Sequence, residues 1–287
     1  MFGYHAQISK GYYKAFKEAI DENINYIQIF FKPPKSGTTS RCNIDEKSNI
    51  NKTRKLIIDN NIILSSHAIY TTSISKPNSH NQIDNLINDL ECGYSLAKNN
   101  YLGTVVHVGS GTIKDVRDNI KYGITKIKEL EKKLNVDLKC KFIIENQTGG
   151  NKLFQRIHHF KEYFDGLTLE EIKYTGICID ICHLYVVYEG QTYKDLFKKI
   201  KNNIGWENVT LIHFNDCAKK YVDHHADIFE GVISHKELKY AAKYLSKLNI
   251  PMILETKGDI VPIEKQISKL LKIIKKDETK SKTEKKK

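Results

Sequence analysis

Imidazole and carboxylate side chains recur where short apolar segments of this chain end. Singly, such a histidine is more often a partly buried core residue, and such a carboxylate usually caps the next helix. Together, so many polar groups converging on one apolar rim would suffer costly unpaired burial unless cations were bound among them. Ligands of these two kinds, without cysteine, suit Zn²⁺, Mn²⁺ or Fe²⁺ at an open hydrolytic site. The candidates are His67, His107, Glu145, Asp180, His183, His213, Asp223, His225 and Glu255.

This set is too large for a single catalytic zinc ion, which takes about three protein ligands. Two or three ions sharing the set, with Glu145 as a bridge, would account for it. Ions roughly 3.5–4 Å apart can activate water and clamp the leaving oxygen of a phosphate. The pattern therefore indicates hydrolysis of a phosphodiester at a multinuclear centre.

The elements that must position these residues alternate between apolar runs and amphipathic stretches. The predicted strands are Phe2–Gln7, Tyr26–Phe31, Ile62–Ser66, Thr104–Val108, Lys141–Glu145, Gly176–Asp180, Val209–Phe214 and Met252–Glu255. The predicted helices are Tyr12–Glu22, Ile83–Lys98, Val116–Leu134, Tyr193–Asn202, Lys236–Leu248 and Pro262–Ile274.

Alternating strands and helices favour an α/β fold with a parallel sheet, and eight such units suggest a closed (β/α)8 TIM barrel. A doubly wound open sheet is the alternative. No linker divides the chain, so we expect a single barrel domain over 1–274. Two long connections, 32–49 and 218–231, would lie at the carboxyl face of a barrel, where active sites are built.

The chain carries a net charge of +12, which favours a polyanionic partner such as nucleic acid or an anionic membrane surface, or simply solvates the protein. The Lys-rich segment 275–287 has no apolar residues and is predicted to be a disordered tail. Six scattered cysteines without a CxxC pair indicate an intracellular, reducing compartment. We see neither a signal peptide nor an apolar run long enough to cross a bilayer.

Seven ordered motifs, spread over nearly the whole predicted barrel, resemble those of the endonuclease IV family of apurinic/apyrimidinic (AP) endonucleases. They are Gly3-Tyr4-His5-Ala6-Gln7-Ile8-Ser9, His67-Ala68-Ile69-Tyr70, Val106-His107-Val108-Gly109, Glu145-Asn146-Gln147-Thr148-Gly149-Gly150, Asp180-Ile181-Cys182-His183, His213-Phe214-Asn215-Asp216 with Asp223-His224-His225, and Leu254-Glu255-Thr256.

The resemblance implies a zinc-dependent base-excision repair enzyme that hydrolyses double-stranded DNA 5′ to an abasic site. The products would be a 3′-hydroxyl and a 5′-deoxyribose phosphate, and family precedent favours a monomer. Three zinc ions are implied, with Mn²⁺ or Fe²⁺ possible at some sites and Glu145 as the catalytic bridging ligand. The implied ligand sets are His67, His107 and Glu145; Glu145, Asp180, His213 and Glu255; and His183, Asp223 and His225.

Four further residues are candidates for contacts with DNA: His5, Lys35, Arg41 and Tyr70. Tyr70 resembles a family tyrosine that contacts DNA, but it could equally be an ordinary aromatic residue of the rim. Lys32, Lys35 and Arg41 could bind phosphates. The connection that holds them lacks the family's arginine-glutamine insertion, and Thr71 is smaller than the wedge residue expected after Tyr70.

Two alternatives remain. A metal-dependent sugar or sugar-phosphate isomerase or epimerase of the same barrel superfamily could use Glu145, Asp180, His213 and Glu255 equally well. Such an enzyme would need neither His183 nor the Asp223-x-His225 pair. A non-catalytic nucleic-acid-binding barrel would be expected to lack one or more ligands, and none is missing here.

Overall fold

This computed structural model describes residues 2–33, 47–220, 222–256, 258 and 261–284 of the chain. In these residues, eight parallel strands close into a barrel. The barrel strands are β1 (Phe2–His5), β2 (Tyr26–Phe30), β3 (Ile63–His67), β4 (Tyr101–Val106), β5 (Lys141–Glu145), β6 (Thr175–Asp180), β7 (Val209–His213) and β10 (Met252–Leu254). A separate two-stranded sheet is formed by β8 (Asp216–Cys217) and β9 (His225–Ala226). Around the barrel the order is β1, β10, β7, β6, β5, β4, β3, β2. The predicted TIM barrel is confirmed, and the open sheet is excluded.

Helices follow the barrel strands and cover their outer faces. They are α1 (Tyr12–Asp21), α2 (Lys47–Asp59), α3 (His80–Ala97), α4 (Ile113–Leu134), α5 (Ile157–Asp165), α6 (Leu169–Lys173), α7 (Ile181–Val187), α8 (Tyr193–Asn203), α9 (His235–Leu245) and α10 (Ile263–Glu284). Short 3-10 turns occupy Lys98–Asn100, Trp206–Asn208 and Ser246–Leu248. None of the helices in the described ranges is both long and apolar enough to cross a membrane.

The interior of the barrel explains why the candidate ligands converge. Five buried residues on five strands form a small cluster separate from the main core: Val105, Ile143, Cys178, Leu211 and Ile253. Because side chains alternate between the two faces of a strand, the residue two positions later points to the same side. Those residues are His107, Glu145, Asp180, His213 and Glu255. The strand period therefore directs five ligand candidates to the carboxyl end of the barrel interior.

One glycine allows a close approach in this barrel. Gly103 in β4 has φ +137, and a Cβ built there would lie 2.0 Å from the Lys141 carbonyl oxygen of β5. Any other residue would separate the strands that end near His107 and at Glu145.

The connection after β7 contains a hairpin that the sequence did not predict. Strands β8 and β9 pair antiparallel and bring Cys217 opposite His225. The buried carboxylate of Asp216 accepts hydrogen bonds from the backbone N–H groups of Cys217, Phe229, Gly231 and Ile233. This carboxylate therefore fixes the connection at the carboxyl face.

The last helix extends beyond its predicted end at Ile274. Disorder was predicted for 275–287, whereas α10 continues to Glu284. Lys and Glu are good helix formers, so a helix begun on an apolar stripe propagates into the charged segment. Residues 285–287 lie outside the described part of the chain.

Four cysteines are buried free thiols: Cys140, Cys178, Cys182 and Cys217. Cys92 is disulfide-bonded.

Candidate metal centre

The first group of ligand candidates joins the ends of β3 and β5 with the residue that follows β4. Glu145 Oε2 lies 3.1 Å from His67 Nε2 and 2.9 Å from His107 Nε2. His67 Nδ1 donates to the Ala68 carbonyl oxygen at 2.7 Å, which leaves Nε2 to face the carboxylate. We call His67, His107 and Glu145 the first cluster; their ligand atoms lie within 4.8 Å of one another.

The second group lies at the bottom of the site and shares Glu145. His213 Nδ1 lies 3.0 Å from Glu145 Oε1, 3.0 Å from Glu255 Oε2 and 4.0 Å from Asp180 Oδ2. His213 Nε2 donates to the side-chain oxygen of Gln28 at 3.1 Å. The second cluster is Glu145, Asp180, His213 and Glu255, again with ligand atoms within 4.8 Å.

The third group is more open to solvent. His183 Nε2 lies 3.0 Å from Asp223 Oδ1, and His225 Nε2 lies 3.8 Å from the same oxygen. His183 Nδ1 donates to the Asn146 carbonyl oxygen at 2.7 Å. The third cluster is His183, Asp223 and His225, within the same 4.8 Å limit. Its Asp223 side chain is 40% exposed, whereas that of Glu145 is 1% exposed.

Asp180 both caps a helix and faces the ligand clusters, the two alternatives that the sequence left open for such a carboxylate. Its Oδ1 accepts the His183 backbone N–H at 2.8 Å and caps α7. Its Oδ2 lies 3.3 Å from His225 Nε2 and accepts a hydrogen bond from Asn215 Nδ2 at 2.7 Å. One carboxylate therefore begins a helix and also faces the ligand clusters.

The histidine rings are oriented as metal ligands. In His67, His183 and His213, one ring nitrogen donates a hydrogen bond to an uncharged oxygen, and the other nitrogen faces a carboxylate. A second nitrogen opposite a carboxylate needs either an added proton or a cation. His107 Nε2 is buried and has no hydrogen bond of acceptable geometry among the described residues, although it is close to Glu145. Metal-bound histidines characteristically donate their other N–H to an oxygen in this way. The donor set and the unpaired nitrogen both fit a divalent cation.

Charge in the centre is strongly coupled. Burial raises the pKa of Glu145, but the nearby His213 and His107 outweigh this effect and hold that pKa well below its usual range. Burial lowers the pKa of His183, but Asp180, Asp223 and Glu145 raise it to about 10. Without cations, protons on imidazoles must therefore balance the carboxylates. Divalent ions would replace those protons.

Three buried amides support the ligands, and the sequence reasoning did not identify their role. Gln28 Nε2 donates to Glu255 Oε1 at 2.8 Å, while its oxygen accepts from His213. Asn146 accepts the Asp180 backbone N–H, and Asn215 accepts that of Glu255. A polar residue inside the otherwise apolar strand Tyr26–Phe30 was the available signal for Gln28.

The candidate contacts with DNA fall in different places. Tyr70 is 53% exposed, with its ring centroid 5.7 Å from that of His67. His5 is only 13% exposed, and its Nδ1 lies 3.4 Å from Glu255 Oε1. Lys35 and Arg41 lie outside the described residues.

The expectation that Lys32 binds phosphate is wrong. Lys32 is 5% exposed, and its Nζ lies 3.2 Å from Asp89 Oδ1 in a buried ion pair. Its alkyl chain and its charge are both used inside the fold, so the ammonium group cannot reach a ligand at the surface.

An open cleft of about 670 Å³ lies over all three clusters. Each cluster contributes to its wall, and Tyr70 and Lys152 stand beside them. The cleft is large enough for a nucleotide-sized group, since ligand pockets commonly measure about 300–1,000 Å³.

Known proteins share both the sequence pattern and the fold. A family model described as xylose isomerase-like TIM barrel matches residues 16–277. A relative named as an endonuclease 4, from Acanthamoeba polyphaga mimivirus, is 27% identical over 277 residues. The match covers 90% of this chain and 86% of the relative.

Solved structures agree in fold. Endonuclease IV from Thermus thermophilus has a TM-score of 0.74 and 24% identity, covering 96% of this chain and 97% of the other. A D-tagatose 3-epimerase-like protein has a TM-score of 0.68 and 17% identity, with 96% and 98% covered. An endonuclease IV and an epimerase-like protein thus share this fold, and this chain belongs to the xylose isomerase-like TIM barrel family.

Proposed function

We propose that this chain is a zinc-dependent AP endonuclease of base-excision repair. It would hydrolyse the phosphodiester 5′ to an abasic site in double-stranded DNA and leave a 3′-hydroxyl and a 5′-deoxyribose phosphate. Its relatives with endonuclease 4 names support a nuclease activity. The three clusters support the metal requirement.

The third cluster carries this proposal. The first two clusters would also serve an epimerase, since that chemistry needs one or two ions. His183, Asp223 and His225 add a separate ligand set about the rim of the cleft. A third cation there would stabilise charge on a phosphate and its leaving oxygen. A neutral sugar has no comparable need.

Each cluster would hold one zinc ion, with Mn²⁺ or Fe²⁺ as alternatives. When bound, the ions would lower the pKa of water and withdraw negative charge from the phosphate. Glu145 directs Oε2 towards His67 and His107 and Oε1 towards His213, so it would bridge the first two sites. Asp180 and Glu255 would complete the second site, each held by Asn215.

The electrostatics of the cleft require cations if DNA is the substrate. Four carboxylates of the clusters face one another at the carboxyl end of the barrel. Without bound cations they would repel a phosphate backbone. Lys152 lines the cleft, and Lys219 and Lys220 are exposed on the turn between β8 and β9. We assign phosphate contacts to these lysines and a rim contact with DNA to Tyr70.

The test is incision of a duplex that carries one tetrahydrofuran, an abasic analogue that cannot undergo β-elimination. We expect cleavage on its 5′ side, loss of cleavage after metal stripping, and recovery with Zn²⁺. His225→Ala should reduce the rate by about 10²–10³-fold, since it removes a contributor to transition-state stabilisation. His158→Ala, a histidine on α5 outside the cleft lining, is the matched control.

Absence of incision by folded, metal-replete protein would exclude the proposal. The epimerase alternative, which the shared fold with a D-tagatose 3-epimerase-like protein keeps open, would then be tested by ketose epimerisation.

A further inference from the structure

Two cysteines flank the third cluster from opposite sides. Cys182 lies in the first turn of α7, directly before His183. Cys217 lies on β8, where it pairs across the hairpin with His225 on β9. Cys182 therefore belongs to the helix that carries His183, and Cys217 to the strand paired with the one that carries His225.

The two sulfur atoms are in close contact. Cys182 Sγ lies 2.9 Å from Cys217 Sγ, and both residues are fully buried. A disulfide bond has an S–S length of about 2.05 Å, so less than about 1 Å of movement would close it. A pair of thiols held this close, from segments separated by 35 residues in sequence, has the placement needed for a cross-link.

A surface turn covers this pair. Cys217 Sγ lies 3.4 Å from the Lys219 carbonyl oxygen and 3.5 Å from that of Val222. Lys219 is exposed, and Val222 is 47% exposed. Exposed turns open locally at low free-energy cost, so small oxidants and reductants gain access to the pair without global unfolding.

We propose that Cys182 and Cys217 form a reversible dithiol–disulfide site that joins α7 to the β8–β9 hairpin. Hydrogen peroxide is a sufficient oxidant. One thiol sulfur attacks a peroxide oxygen and the O–O bond breaks. Water leaves, and the cysteine is converted to a sulfenic acid. The second thiol attacks that sulfur, the S–S bond forms, and a second water leaves. Two thiols and one peroxide thus give one disulfide and two waters. A dithiol reductant reverses the cross-link by exchange.

The cross-link has a consequence for metal binding that rests on the proposed function. Cys182 Sγ lies within 4.8 Å of ligand atoms of Asp180 and His225, so the free thiol is an additional donor beside the third cluster. The disulfide removes that donor, which by itself would weaken binding, but it also holds His183 and His225 at a constant separation, and we expect this preorganisation to be the larger effect. The oxidised protein therefore retains the third cation more strongly than the reduced protein.

The cross-link is tested on the full chain by treatment with hydrogen peroxide, denaturation in N-ethylmaleimide and peptide mass analysis. We expect a pair of peptides joined through Cys182 and Cys217, with a mass two hydrogens lower than the sum of the two free peptides. Dithiothreitol should abolish this joined species. Cys140→Ser, which removes another buried thiol, should keep this cross-link, whereas Cys217→Ser should leave Cys182 free. Maleimide on both cysteines after oxidation, or irreversible sulfinic acid at either, would overturn the proposal.

A separate experiment tests the link to the metal. It compares the rates at which oxidised and reduced protein release zinc to a chelator. We expect release of one ion to slow by about tenfold after oxidation, in the range that supporting interactions around a metal contribute. Equal release rates with the disulfide present would refute this link. Neither readout uses DNA, so failure of the proposed nuclease activity would be recognised independently in the incision assay.

Discussion

The second and third clusters differ in how the chain holds them. The second is built at barrel strand ends, and its His213 is fully buried. The third depends on a hairpin, with Asp223 40% exposed and His225 21% exposed. Strand positions follow from the hydrogen-bonded register of the barrel, whereas the hairpin is held mainly through Asp216 and the pairing of β8 with β9.

This difference separates stability from chemistry. Ligands of the second cluster are part of the buried structure, so their removal should affect folding and metal binding together. Asp223 and His225 of the third cluster lie at the rim, so their removal should affect the reaction with little effect on folding.

Glu145→Gln should lower the incision rate by about 10³-fold, because it removes the charge shared by the first two clusters. Single-turnover incision of the abasic duplex and metal content per chain are the measurements. Glu230→Gln changes a carboxylate of the cleft lining outside the three clusters, and we expect it to stay near wild type. Equal activity of Glu145→Gln and wild type would remove Glu145 from the mechanism.

His213→Ala should lower the free energy of unfolding of metal-free protein by about 3 kcal/mol, because it removes one partner from the buried Glu145 and one from the partly buried Glu255. His225→Ala should cost about 1 kcal/mol or less, because its pairs are partly exposed. Urea unfolding at constant pH measures both. Equal losses would show that the hairpin is as important to folding as the barrel strands.

Gln28→Met should weaken zinc binding by about 10–100-fold, because Gln28 orients both Glu255 and His213. Competition with a coloured chelator measures this affinity. Gln266→Met is the matched control, since Gln266 is equally buried but bonds to the backbone of Ile228 and Val261. Similar affinities for both variants would mean that the Gln28 amide only fills space.

Zinc should stabilise the protein more as pH rises. The metal-free folded chain has a His183 pKa of about 10, against 6.5 for the unfolded chain, because Asp180 and Asp223 outweigh burial. This proton contributes stability fully below pH 6.5, and the contribution is lost as pH rises towards 10. Zinc must displace the proton, so its binding becomes more favourable over the same window.

Thermal unfolding at several pH values between about 6.5 and 8.5, with zinc and after stripping, tests this expectation. The difference in Tm should widen by a few degrees, at about 2–4 °C per kcal/mol for a chain of this size. A difference independent of pH would show that His183 holds no proton in the metal-free protein.

The long periodic elements were predicted well, and the short or aperiodic ones were missed. Six predicted helices are present, because each has an apolar stripe of helical period. Helix α7 was missed because its seven residues are mostly apolar and show no period. Helix α2 was missed because few apolar residues occur among its polar ones.

Contacts between distant residues could not be read from local patterns. The burial of Lys32 depends on Asp89 of α3, and the approach of Cys182 to Cys217 depends on the hairpin. The orientation of each histidine ring likewise depends on an acceptor elsewhere, such as Gln28 for His213.

By itself, the sequence determined the alternation of strands and helices and the residue type at each strand end. Those two features predicted the barrel and six of the nine ligand candidates, because the period of two directs every second side chain to one face. The other three, His183, Asp223 and His225, were recognised by residue type in the segments after the sixth and seventh strands. Only the tertiary structure decided which candidates meet in each cluster, which ring nitrogen faces a carboxylate, and which amides hold them. These properties arise from atoms brought within a few ångströms by barrel closure, and no local stretch of sequence encodes such distances.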